Sequence, residues 1–224
     1  MTQDTDRIER DVEAAVADDA SGISERVRQI TLKVLSQGQL DSAALREVMG
    51  AVVKGAQKGI KRPDEASGTA LREAVKGLDQ ALASAAEATQ LAVREAASRS
   101  SEFSKQSIRK TMDELGSVES MFIDTLGDAA RESTGHVRDT LHGLAEHARN
   151  SGTAVGARVR DAVSQLSQAF AGAAHEQMQA GAETLRHQAA LMAGIAAGML
   201  RGIAERLQPP AGTAKEEDPK DSQD

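Results

Sequence analysis

Five histidines, His136, His142, His147, His175 and His187, are the side chains here best suited to acid–base or metal chemistry. No two of them stand three or four residues apart, the spacing that brings two imidazoles onto one helix face and one metal ion. There is no cysteine, so thiolate nucleophiles, disulfides and sulfur-ligated zinc are excluded. Serine and threonine are plentiful, but no nucleophile elbow, phosphate-cradling glycine loop or HExxH segment contains them. The carboxylates are spread along polar faces with no pair set apart for general acid–base work. The sequence therefore reads as a non-enzyme, and no cofactor or metal is expected. The patterned chemistry that remains is cationic. Arg138, Arg149 and Arg160 recur every eleven residues, each directly after an apolar position. His136, His147 and Arg158 take the position before it.

That spacing requires a helix. From Leu71, steps of eleven reach Leu82, Val93, Leu115, Leu126, Val137, Ala148, Val159, Phe170, Gly181, Met192 and Ile203, and only Ser104 is polar. Backward steps meet Ile60, Met49, Val27 and Val16. Four residues beyond the first series stand Val75, Ala86, Ala130, Leu141, Val163 and Leu185, with Glu119 the one carboxylate; seven beyond stand Leu78, Phe122, Leu144, Val155, Leu166 and Met199. At about 100° per residue the three series fall within roughly 60° of one another and form one narrow stripe. Eleven residues in three turns is about 3.67 per turn, near that of a relaxed α-helix, so the stripe runs almost straight. Its clearest part comprises Leu126, Val137, Leu141, Leu144, Val155, Val159, Val163, Leu166 and Phe170. Arg138, Arg149, Arg158 and Arg160 flank it, and Asp128, Asp139, Glu146 and Asp161 lie opposite. Long cationic stems beside an apolar stripe suit a helix lying on a lipid or polymer surface. The same pattern also suits helix-on-helix packing in a coiled coil or bundle.

The repeats in 126–207, and more loosely those in 64–125, resemble the 11-residue repeats of exchangeable apolipoproteins. They are also similar to those of late-embryogenesis-abundant proteins and of phasins, the alanine-rich helical coats of polyester granules. The chain departs from phasins in having few aromatics, and from apolipoproteins in a stripe built largely of alanine and glycine. The resemblance implies a non-enzymatic helical protein that coats a lipid or storage-granule surface; its departures favour a self-associating scaffold, and its poverty in bulky residues a stress-protective chain. The N-terminal part lies outside these likenesses and is similar instead to alanine-rich helical proteins of proteobacteria.

The expected fold is all-α: a short N-terminal helical hairpin followed by long amphipathic helices, as a coiled coil or elongated bundle, with a disordered acidic C-terminal tail. Residues 1–63 should hold an early helix over about 5–17 and an αα-hairpin over 22–62, closed at Pro63. Residues 64–208 contain no proline before Pro209 and form the repeat region, with bends expected near 98–102, 115–120 and 148–152. Residues 209–224 are the tail. With only three phenylalanines and neither tyrosine nor tryptophan, the core must be built from small and aliphatic side chains. Gly194, Gly198 and Gly202, at successive fours, should allow close helix packing; Gly55 and Gly59 are a weaker instance.

The net charge of −7 sits at the ends. An acidic N-terminus and tail around a near-neutral body argue against nucleic acid, whose phosphates need a sustained excess of bases. Lys54, Lys58, Lys61 and Arg62 form one local basic cluster, placed to complement a helix C-terminus. The longest apolar run, QAALMAGIAAGML, falls short of the ~20 residues needed to span a bilayer. No secretory signal is evident at the N-terminus. The expected partners are a second copy of the chain, a lipid or polymer granule surface, or both; the expected location is the cytoplasm, peripherally on such a surface.

Overall fold

The computed structural model describes residues 2–18, 21–37, 42–60, 65–99 and 105–177. These form seven α-helices and, among the described residues, no strand: α1 (Thr2–Ala17), α2 (Ile23–Leu35), α3 (Ser42–Gly59), α4 (Glu65–Arg99), α5 (Lys105–Glu132), α6 (Gly135–Ser151) and α7 (Ala154–Gln177). The all-α reading holds. Gly194, Gly198, Gly202 and the tail lie outside the described residues.

Consecutive helices reverse direction through α5, so that α1, α3 and α5 run one way and α2 and α4 the other. Glu9 meets Lys54 and Lys58 while Val16 meets Gly59, so α1 runs beside α3. Thr125 Oγ1 lies 4.0 Å from Met49 Sδ, and Gln57 Nε2 donates to Ser133 Oγ at 2.7 Å, so α3 runs beside α5. α6 and α7 form one broken rod beside α4. His136 lies against Gly68, Asp79 meets Ala154 and Val155, and Gln90 Nε2 donates to Gln165 Oε1 at 2.6 Å. α5 lies antiparallel to that rod. At about 1.5 Å per residue, α4 is roughly 50 Å long and forms the spine of the bundle.

One continuous apolar cluster fills the bundle, from Ile8, Val12 and Val27 through Met49, Val52, Leu71, Leu78 and Leu82 to Phe122, Leu126, Leu141, Val155 and Leu166. Every described member of the first eleven-residue series is buried or half-buried, because near-straight helices keep a straight stripe turned inward along their whole length. Three of the four buried threonines among the described residues are satisfied locally. Thr31, Thr89 and Thr125 each donate to the carbonyl four residues back, at 2.8 Å, so their hydroxyls add no unpaired polar group to the interior. Among the described residues no buried side-chain nitrogen or oxygen lacks a partner.

Several expectations are corrected by packing. The bend expected at 115–120 is absent: α5 runs straight through it, with Leu115, Val118, Met121 and Phe122 buried. Serine and glycine there weaken the helix by only about 1 kcal/mol, and four buried side chains outweigh that. The break comes instead at Ser133–Thr134, where Gly135 has φ 57°. Residues 100–102 of the bend expected near 98–102 lie outside the described residues; near 148–152, α6 ends at Ser151 with Gly152 at φ 79°. The segment 22–62 does form two helices joined by a short connection. However, α2 packs mainly on α4, and α3 on α1 and α5. Residues 61–64 lie outside the described residues, and the helices on either side of them share one core.

Glycine seams bring the N-terminal helices close. A Cβ on Gly59 would stand 2.7 Å from both the Glu13 carbonyl oxygen and Val16 Cβ, and one on Gly55 would overlap the Glu9 carbonyl oxygen. Gly77 makes the same kind of approach to Ser24 on α2. The Gly55–Gly59 step is thus used for close packing.

Candidate functional site

The stripe and its flanking cations come together on the α6–α7 rod. Leu141, Val155, Val159 and Leu166 are buried, and Val137, Leu144 and Val163 are half-buried against α4 and α5. Leu126 is fully buried on α5. Phe170 lies within α7, and its side chain is outside the described residues. Arg138, Arg149, Arg158 and Arg160 are all exposed. The stripe thus faces the bundle while its cations face water. The single large apolar side chain left exposed among the described residues is Leu91 on α4, at 51%.

The α6–α7 junction is the most structured polar feature of this rod. Asp79, half-buried on α4, accepts hydrogen bonds from the Ala154 and Val155 amides, both at 2.8 Å. Thr153 Oγ1 accepts from the Gly156 amide at 2.8 Å and donates to Glu119 Oε1 at 2.9 Å. Arg160 Nη1 donates to Glu119 Oε2 at 3.1 Å. The first amides of a helix have no partner within it and carry the positive end of its dipole. At α7 three of them are taken by Thr153 and by a carboxylate from another helix. Burial pushes the Asp79 carboxyl above the usual aspartate range; the two amides draw it back down, and the Glu119 charge adds a smaller upward push.

A second polar contact joins α1 to α3. Glu9 lies between Lys58 and Lys54, the latter 3.4 Å away. The Lys58 hydrogen bond and the two lysine charges hold its carboxyl below the usual glutamate range against a desolvation push upward. Half of the basic cluster seen in the sequence is therefore neutralised from α1. Between α1, α2 and α3 lies a groove of about 430 Å³ with Ile8, Ile30, Val34 and Val48 in its lining and Arg7 and Lys33 among its polar residues.

Among the described residues no three His, Asp or Glu side chains converge on a metal position. His142 lies 3.5 Å from Glu146, and His147 is 3.4 Å from Ser151 Oγ; both pairs are surface contacts within α6. No helix among the described residues is long and apolar enough to cross a membrane. Asp79 gave no signal in the sequence, because its role depends on a helix 75 residues away. Glu119 did give one: it is the carboxylate at an otherwise apolar register position.

Residues 1–209 match a family of unknown function, DUF6781. The chain belongs to that family. Searches of curated proteins and of solved structures return no match.

Proposed function

We propose that this is a non-enzymatic amphipathic bundle that coats a lipid or storage-granule surface, using the α6–α7 rod as its contact element. The observation that carries the reading is the arrangement of this rod. It has a straight apolar stripe, four exposed arginines beside it, and helix breaks at Ser133–Thr134 and Gly152–Thr153. Moving the stripe from the core of the bundle to another apolar phase changes its hydrophobic burial little. The residues it covered on α4 and α5 would lose their cover, which costs free energy. Cations near an anionic surface contribute about 1 kcal/mol each, so four arginines offset several kcal/mol of that cost. An anionic surface is therefore the preferred partner.

The test is co-sedimentation of the full chain with phosphatidylglycerol-containing liposomes and with a polyester emulsion. Because the chain has no cysteine, a Gln90→Cys/Gln165→Cys variant can be bridged with a short bismaleimide to hold α7 on α4. Binding by the unbridged protein, lost on bridging and weakened at least tenfold by replacing Arg138, Arg149, Arg158 and Arg160 with glutamate, is the expected result. Absence of binding to both surfaces would remove the reading. In that event, a melting midpoint that falls on dilution would support the self-associating scaffold instead.

A further inference from the structure

We infer that α7 is the first part of this bundle to open, turning about Gly152–Thr153 while α6 stays on α5, and that Asp79 and Glu119 form the latch that holds it closed. The inference deepens the surface reading and rests on it for its purpose; the hinge itself rests on contacts within the bundle.

The two halves of the rod meet without sharing backbone hydrogen bonds. The last bond of α6 runs from the Gly152 amide to the Ala148 carbonyl, and the first of α7 from the Ala157 amide to the Thr153 carbonyl, both at 3.0 Å. The amides of Ala154, Val155 and Gly156 go to Asp79 and Thr153, and none returns to α6. Gly152 sits at φ 79°, in the left-handed region that glycine enters without steric cost. Rotation there breaks no helical bond of α6.

The halves are also anchored differently. α6 packs mainly on α5, to which it is joined through Ser133–Thr134, and Ser133 Oγ donates to the Ala129 carbonyl and accepts from Gln57 of α3. α7 packs mainly on α4. Its interface there includes polar pairs, Gln165 with Gln90 and Arg158 with Glu87 at 3.9 Å. At its centre α7 also buries Val155, Val159, Ala162 and Leu166, so these rim pairs and the contacts at its N-terminal end are the part of its interface that water replaces at least cost. At the hinge end, Asp79 holds the free amides and Glu119 holds Thr153 and Arg160. Gly156 keeps the place of its missing side chain for the Glu119 carboxylate, which any Cβ would overlap. Arg160 thus serves two states: paired with Glu119 when closed, and free for an anionic surface when open.

The test is hydrogen exchange of the full chain in plain buffer, read by mass spectrometry, with wild type, Asp79→Ala and the conservative Asp79→Asn. No surface is present, so the outcome is independent of surface binding. In wild type, amides from Ala157 to Gln168 should exchange through a smaller opening than those of α6. In Asp79→Ala they should exchange about tenfold faster, which corresponds to about 1.4 kcal/mol, while α6 stays within about threefold; Asp79→Asn should fall between. Exchange of α6 and α7 as one unit, or an α7 rate unchanged in Asp79→Ala, would overturn the inference. Should Asp79→Ala fail to fold, wild type in sub-denaturing urea decides by the same comparison. Faster α7 exchange with no liposome binding would sink the surface reading and leave the hinge standing.

Discussion

Gly50 and Gly55 lie on the same helix, and alanine at the two positions should have opposite effects on stability. A Cβ at Gly50 meets nothing within 4 Å, so Gly50→Ala contributes only the helix preference for alanine, about 0.8–1 kcal/mol of stabilisation. At Gly55 the same preference applies, but the new Cβ would overlap the Glu9 carbonyl oxygen and stand 3.0 Å from Val12 Cβ. The oxygen belongs to the backbone of α1 and cannot swing aside. α1 must therefore back away along its length, loosening Ile8, Val12 and Val16, which are 2%, 0% and 7% exposed, and stretching the Glu9–Lys58 contact. Overpacking of this kind costs about 1–3 kcal/mol, which exceeds the helix gain. Gly55→Ala is expected to be less stable than wild type by up to about 2 kcal/mol, while Gly50→Ala is more stable. For a chain of this size about 1 kcal/mol moves Tm by roughly 2–4 °C. Thermal and urea melts followed by circular dichroism measure both. If Gly55→Ala is as stable as Gly50→Ala, α1 does not pack on α3 as described.

Glu9 and Asp79 should impose opposite pH dependences. The Glu9 carboxyl is held low in the fold, so its stabilisation is present above the unfolded glutamate pKa and is lost as pH falls through the folded one. The stability difference between wild type and Glu9→Gln should therefore shrink as pH falls from about 5 to about 3. The Asp79 carboxyl is raised, so the folded state binds its proton more tightly and ionisation costs stability as pH rises through that window. Relative to Asp79→Asn, wild type should gain stability on acidification, and urea melts at the two pH values show whether the signs differ. Leu82→Ala, at a side chain 1% exposed, should cost about 2–5 kcal/mol in the same melts. Leu91→Ala should stay within about 0.5 kcal/mol, and a larger loss would mean that Leu91 is covered by another molecule.

The register of the helices was legible because it depends on local periodicity. The series through Leu71, Leu82, Val93, Leu126 and Val159 marks buried or half-buried positions wherever its side chains are described, since α-helical geometry alone decides which residues share a face. The stop at Ser151 follows the same local logic: Ser, Asn and Gly weaken a helix wherever they occur. The bend expected at 115–120 failed because local weakness there is opposed by Phe122, Met121 and Leu115 entering a core that those few residues do not reveal. The Ser133–Thr134 break carries only a modest local signal, and its place between α5 and α6 follows from where the two helices must reverse.

By itself the sequence determined an all-α chain, the inward face of each helix and the placement of cations beside the stripe, because helix propensity and a 3.67-residue period act within a few turns. Only the tertiary structure decided what the stripe faces, that α1 pairs with α3 and α2 with α4, and that Asp79 caps α7 from another helix. Those outcomes depend on contacts between residues tens of positions apart. An Ala-rich stripe fits several partners almost equally well, so close approach at Gly55, Gly59 and Gly77 and the polar contacts of Glu9, Asp79 and Glu119 select among them.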